Sequence, residues 1–179
     1  MKDLAKAARR LIAAVESKQS ILIYGDYDVD GTCSVAMMVR FLRSLDAAVS
    51  YYIPDRYAEG YGVSAKGMDH AIDQKVDLLI TLDCGITACT ELERATAAGI
   101  DVVVCDHHLP GANVPSIFAI LNPMQPDCPY LGKELCGCGV GFMLLRKVCD
   151  EMGYGDLWKD YLDLVAIATC CDIVPLKGV

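Results

Sequence analysis

The apolar positions of this chain fall into two kinds of run that alternate along its length. Leu4, Ala8, Leu11, Ile12 and Val15 recur at helical spacing and predict an amphipathic first helix. The continuous apolar run 21–24, Ile-Leu-Ile-Tyr, is closed by glycine and acidic residues and predicts a strand buried on both faces. Helical spacing returns over 32–45. A second strand is expected over 49–53, closed by Pro54. A loop rich in tyrosine and glycine spans 55–62, and a helix is expected over 64–75. Strand 77–82, helix 87–98 (stopped by Gly99), strand 101–105 and strand 117–121 follow. Helices are expected from about 139 and over 156–169. Strand and helix alternate, which predicts parallel strands joined by right-handed crossovers. The expected fold class is α/β, an open and mostly parallel sheet flanked by helices.

Composition narrows the setting. The chain has 179 residues, the scale of one domain. It is 54% hydrophobic but only 7% aromatic, so aliphatic residues must build the core. The first residues lack the uninterrupted apolar segment of a secretory signal, and no stretch approaches the roughly 20 apolar residues that span a bilayer. No membrane association and a cytoplasmic location are therefore expected. Ten cysteines show no paired zinc spacing, and Cys105, Cys149, Cys170 and Cys171 sit in apolar runs, which predicts reduced thiols in the interior. The net charge of −8 argues against a protein that coats nucleic acid. It leaves room for an enzyme that meets phosphate through bound cations.

The candidate chemistry lies at the strand ends. In an open parallel sheet, ligands bind beyond the carboxyl ends of the strands. The first predicted strand runs into Asp26, Asp28 and Asp30, the third into Asp83, and the fourth into Asp106, His107 and His108; Asp172 follows the last helix. So many carboxylates would repel one another and raise one another's pKa values unless cations were bound among them. Carboxylate oxygen with imidazole nitrogen suits Mn²⁺, Mg²⁺, Zn²⁺ or Fe²⁺. Without a thiolate at these ends, two ions of Mn²⁺ or Mg²⁺ are expected, about 3.5–4 Å apart, acting on a phosphate ester. Any one of these aspartates alone reads more simply as a helix cap or a turn residue. Their joint occurrence at three strand ends is what favours a metal centre.

The same residues resemble a known family. The segments YGDYDVDGT, YYIPDRYAEGYGVS, LLITLDCGI, VVVCDHHLPG, AILNPMQPDCPY and DLVAIATCCDIVPL follow the order of the motifs of the DHH phosphoesterase superfamily. Within it they are similar to the RecJ single-strand-specific DNA exonucleases. The resemblance implies metal-dependent hydrolysis of single-stranded DNA from the 5′ end, in repair and recombination. It implies Asp28, Asp30, Asp83, His107 and Asp172 as metal ligands, with Asp83 between the two ions. Asp26 and Asp106 would orient the ligands, and His108 would face the scissile phosphate. Some superfamily members carry a histidine at the position of Tyr24.

Arg56 is a candidate phosphate contact, and Tyr57 and Tyr61 could stack on bases. Gly137, Gly139 and Gly141 could admit either a phosphate at a helix N-terminus or close helix packing. Family members continue beyond the fourth motif into a connecting helix, a second catalytic-face domain of the DHHA1 type and an oligonucleotide-binding fold. This chain, closing at 175–179, is expected to be the N-terminal DHH domain alone, with weak activity by itself. Single-strand-binding protein and a helicase are the expected partners besides single-stranded DNA. Two other readings compete: a phosphoesterase of the superfamily acting on short oligonucleotides, cyclic dinucleotides or pyrophosphate, and a non-catalytic replication module.

Overall fold

A computed structural model describes residues 1–176; residues 177–179, and with them part of the expectation about the chain's close, lie outside the described residues. The elements run α1 (Leu4–Glu16), β1 (Ile21–Gly25), α2 (Val29–Ser44), β2 (Val49–Tyr52), α3 (Ala65–Asp73), β3 (Leu78–Leu82), α4 (Cys89–Ala97), β4 (Asp101–Cys105), β5 (Ala119–Leu121), α5 (Gly137–Met152), a 3₁₀ helix (Gly155–Tyr161) and α6 (Leu162–Cys171). The five strands form one parallel sheet in the order β2-β1-β3-β4-β5, as the alternation of strand and helix predicts.

Every residue of β1 and β3 is buried, because helices cover both faces. Successive side chains point to opposite faces. Ile21, Ile23, Leu78, Ile80, Val103 and Cys105 pack under α1, α2 and α5. Leu22, Tyr24, Leu79, Val102 and Val104 pack under α3 and α4. Each large aliphatic side chain taken wholly from water in this way contributes roughly 1.5–3 kcal/mol.

Two helix starts differ from the pattern-based reading for a capping reason. Helix α2 begins at Val29, because the Asp28 side chain accepts from the Gly31 amide at 2.9 Å and starts the helix inside the acidic motif. Helix α5 begins at Gly137, where the carboxylate of Asp30 takes the first amides. The expected last helix divides into the 3₁₀ segment and α6.

The cysteines are all unpaired. Cys105 and Cys149 are buried as expected, but Cys170 and Cys171 are exposed, since α6 buries only Ala168 among its ten residues. No described helix is long and apolar enough to cross a membrane.

Candidate metal centre

The sheet register gathers the acidic residues. Gly25 pairs with Leu82, and Leu82 with Cys105, so the residue after each matched strand end is an aspartate: Asp26, Asp83, Asp106. The β4–β5 pairing of Cys105 with Leu121 adds Asn122 to the row. The chain leaves β1 toward β2 on one side and toward β3 on the other. The switch between them opens the crevice where an α/β sheet binds its ligand.

Asp83 lies in the left-handed region at φ 62°, which is costly for a non-glycine residue. The turn is held by its amide donating to the Cys105 carbonyl at 2.9 Å and by Thr81 Oγ1 donating to the Cys84 carbonyl at 2.8 Å. Gly137 permits the approach of α5: a Cβ there would sit 2.5 Å from Oδ1 of Asp83. Asp30, in the first turn of α2, accepts from the Gly137 and Cys138 amides at 2.6 and 2.8 Å. The N-terminus of α5 is therefore filled by an internal carboxylate. Of the two readings of its glycines, close packing is the one the structure bears out for Gly137 and Gly141, and no phosphate seat is left there.

Histidine 107 reaches into the middle of this group. Its Nε2 lies 3.2 Å from Oδ1 of Asp83, 3.7 Å from Oδ2 of Asp172 and 3.9 Å from Oδ2 of Asp30. Two overlapping triads, Asp30–His107–Asp172 and Asp83–His107–His108, and a third of Asp26, Asp28 and Asp83, each bring their ligand atoms within 4.8 Å of one another. Five buried side-chain atoms lack a hydrogen-bond partner among the described residues: both carboxylate oxygens of Asp26, Oδ1 of Asp83, Nε2 of His107 and Oδ2 of Asp172. All five belong to this cluster. A buried polar atom without a partner costs roughly 1–3 kcal/mol, so their concentration in one place is what divalent cations would resolve. The donor set of carboxylates and one imidazole fits Mn²⁺ or Mg²⁺.

The electrostatics agree. Burial, reinforced by Asp30 and Asp28, pushes the Asp83 carboxyl up to about 10. Burial also raises Asp26 and Asp172. Asp106 behaves oppositely: burial would raise it, but hydrogen bonds from the His108 ring and from the Ile86 and His108 amides outweigh burial and hold it low. Its Oδ1 lies 2.7 Å from Nδ1 of His108, and its Oδ2 accepts from the Ile86 amide at 2.9 Å. The hydrogen bond to Asp106 raises the pKa of His108 in turn.

Nε2 of His108 lies 2.9 Å from the hydroxyl of Tyr61, whose ring also meets Tyr27 edge-on. Arg56 lies over Tyr27 at 5.2 Å. Arg56, Tyr27, Tyr61 and His108 thus line one side of the crevice. Tyr57 is 96% exposed and stands outside this row.

Asp106 and Asp26, which share one expected role, differ in their surroundings. Asp106 accepts from the His108 ring and the Ile86 amide, whereas the buried carboxylate oxygens of Asp26 have no hydrogen-bond partner of good geometry among the described residues and stand with Asp28 and Asp83. Tyr24 points to the opposite face of the sheet, where its hydroxyl donates to the Gly62 carbonyl at 2.9 Å and accepts from the Ser64 amide at 3.0 Å. It anchors the 55–64 loop and lies outside the cluster. Tyr27 and Asn122 escaped the motif-based reading. Tyr27 is signalled only by its place between two aspartates. Asn122 becomes visible only through the register; its Nδ2 donates to the His108 carbonyl at 2.9 Å and so steadies the His107–His108 turn.

Fold and crevice together define an α/β domain with an acidic, histidine-containing centre at the switch point of its sheet. The family model for the DHH family, N-terminal domain, matches residues 20–169, and the chain belongs to that family. It is 43% identical over 176 residues to the single-stranded-DNA-specific exonuclease RecJ of Bacillus subtilis, covering 98% of this chain and 22% of that protein. It is 38% identical over 184 residues to the protein of the same name from Escherichia coli, covering 97% of this chain and 32% of the relative. A crystal structure of exonuclease RecJ bound to manganese superposes with a TM-score of 0.91 at 37% identity, covering 99% of this chain and 45% of that one. The chain thus spans less than a third of the length of these two curated relatives.

Proposed function

We propose that this chain is the metal-bearing domain of a phosphodiesterase that removes nucleotides from the 5′ end of single-stranded DNA. The observation that carries this reading is the coincidence of all five partnerless buried atoms with the acidic centre at the strand ends. The relatives named as single-stranded-DNA-specific exonucleases support the substrate, and the similar structure of an exonuclease RecJ bound to manganese supports the metal.

Asp26, Asp28 and Asp83 would hold one ion of Mn²⁺ or Mg²⁺, and Asp30, His107 and Asp172 the other, with Asp83 shared. Bound there, the ions supply Lewis-acid stabilisation of phosphoryl oxygens and a water acidified toward neutral pH. The protein's own groups do the positioning. The Asp30 carboxylate keeps α5 against the centre, and each of its oxygens, accepting one amide, retains a second lone pair for a cation. Asp106 accepts from Nδ1 of His108, which fixes that ring and turns Nε2 outward. The hydrogen bond to Asp106 raises the pKa of His108 and so favours the protonated ring, whose Nε2 would donate to a phosphate oxygen in place of the Tyr61 hydroxyl. Arg56 stands on the same side of the crevice to meet a neighbouring phosphate.

The relatives' greater length leaves room for a DHHA1-type domain and an oligonucleotide-binding fold that would close the groove, and single-strand-binding protein and a helicase are its proposed partners. Digestion of 5′-phosphorylated single-stranded DNA, run beside diadenylate and pyrophosphate with Mn²⁺, tests the reading. Release of mononucleotides from the DNA supports it. Turnover of the small substrates alone would replace it with a small-molecule phosphoesterase.

A further inference from the structure

Beside His108 lies a cavity of 220 Å³, lined also by Asp106 and by residues 84–88. A water's share of volume is about 30 Å³, so the cavity exceeds a hydration site. It is smaller than the roughly 300 Å³ at which pockets for drug-sized ligands begin. That is the scale of a single aromatic ring system. Tyr61, Val63 and Ile86 supply its apolar walls, and Thr87 and Glu91 its polar groups, while His108 forms the side shared with the centre. Among the described residues neither lysine nor arginine lines it, and Glu91 and Asp106 border it. An anion is thereby disfavoured. A neutral ring is favoured, particularly one with an amino group to donate to a carboxylate. An aromatic wall suits stacking on such a ring.

We propose that this cavity is a nucleobase pocket that seats the base of the terminal nucleotide. The proposal rests on reading the centre as a phosphodiesterase site. A phosphate held at Nε2 of His108 stands at the cavity's edge, and the attached sugar carries the base into it. Glu91, which plays no part in the mechanism above, would receive the exocyclic amino group of adenine, cytosine or guanine.

The test separates base from phosphate. Deoxyadenosine is titrated into the metal-free chain while the backbone amide shifts of residues 85–91 are followed by NMR. Deoxyadenosine 5′-monophosphate and 2-deoxyribose 5-phosphate are then compared by calorimetry on the Mg²⁺-loaded chain. The base is expected to add about tenfold in affinity, about 1.4 kcal/mol. Thr87→Trp and, separately, Ala88→Leu should fill the cavity and remove that difference while leaving Mg²⁺ and sugar-phosphate affinity unchanged. Equal affinity for the two ligands, or a difference that survives both variants, overturns the pocket. Deoxyadenosine shifts without any Mg²⁺ binding would defeat the phosphodiesterase reading and keep the pocket; Mg²⁺ binding without deoxyadenosine shifts would defeat the pocket alone.

Discussion

Nε2 of His107 stands 3.2 Å from Oδ1 of Asp83, and both atoms are buried without a hydrogen-bond partner. Two polar atoms so close and both unsatisfied are arranged for something that must come between their lone pairs. The first prediction follows directly. Asp83→Ala should abolish binding of both Mn²⁺ ions, because Asp83 is common to two of the candidate triads. Asp172→Asn should remove one ion of the two. Calorimetric stoichiometry separates these outcomes, and two ions bound by the Asp83→Ala chain would contradict the shared-ligand assignment.

The raised carboxyl of Asp83 gives the metal-free chain a particular pH dependence. Its folded pKa of about 10 exceeds the ordinary 3.8, so between those values the folded state holds a proton that the unfolded state has lost. Asp26 and Asp172 are shifted the same way. Their combined contribution is present at acid pH and is lost as pH rises through the folded pKa values. The melting temperature of the metal-free chain should therefore fall between pH 5 and pH 8. Asp83→Asn should flatten that slope and raise the melting temperature, by roughly 2–4 °C for each kcal/mol relieved. Mn²⁺ should reverse the slope, because the metal displaces the proton.

His108→Ala should leave metal stoichiometry intact while lowering turnover of single-stranded DNA by about 10²–10⁴-fold, the usual contribution of a positioned acid. Asp106→Asn should lower turnover in the same direction. Asn retains one acceptor oxygen, so either the Ile86 amide or the His107 and His108 amides lose their acceptor; the variant should slow the reaction without changing Mn²⁺ stoichiometry. A normal rate in either variant would remove the pair from the mechanism.

Gly137→Ala should act through packing. The added Cβ would lie 2.5 Å from Oδ1 and Cβ of Asp83, so α5 must retreat and take with it the amides that hold Asp30. Overpacking of this kind costs about 1–3 kcal/mol. Chemical denaturation should show that loss together with weaker Mn²⁺ binding. Tyr24→Phe should separate the two effects: it frees the 55–64 loop from the Gly62 and Ser64 bonds, weakening DNA binding and leaving the metal centre as it was.

These contrasts mark what was legible along the chain. Buried parallel strands read as continuous apolar runs, so the sheet and the acidic strand ends were visible in ILIYGD, LLITLD and VVVCD. The roles of individual residues were less so. Asp26 and Asp106 look alike in sequence, each following a strand, and only the three-dimensional surroundings separate a carboxylate bonded to His108 and the Ile86 amide from one with no partner. The helix starts were displaced because the motif's own aspartates cap them, a role that side-chain periodicity does not register. Tyr24 stands two residues before Asp26 in the same motif, yet its side chain joins the loop-facing core, and that is a property of the fold around it.

The central claim is that two cations share this cluster, and anomalous diffraction from crystals of the chain soaked in Mn²⁺ tests it most directly. Two peaks are predicted, about 3.5–4 Å apart, one against Asp26, Asp28 and Asp83 and the other against Asp30, His107 and Asp172, with Asp83 touching both. Peaks lying elsewhere on the molecule, or a cluster left empty at saturating Mn²⁺, would contradict it.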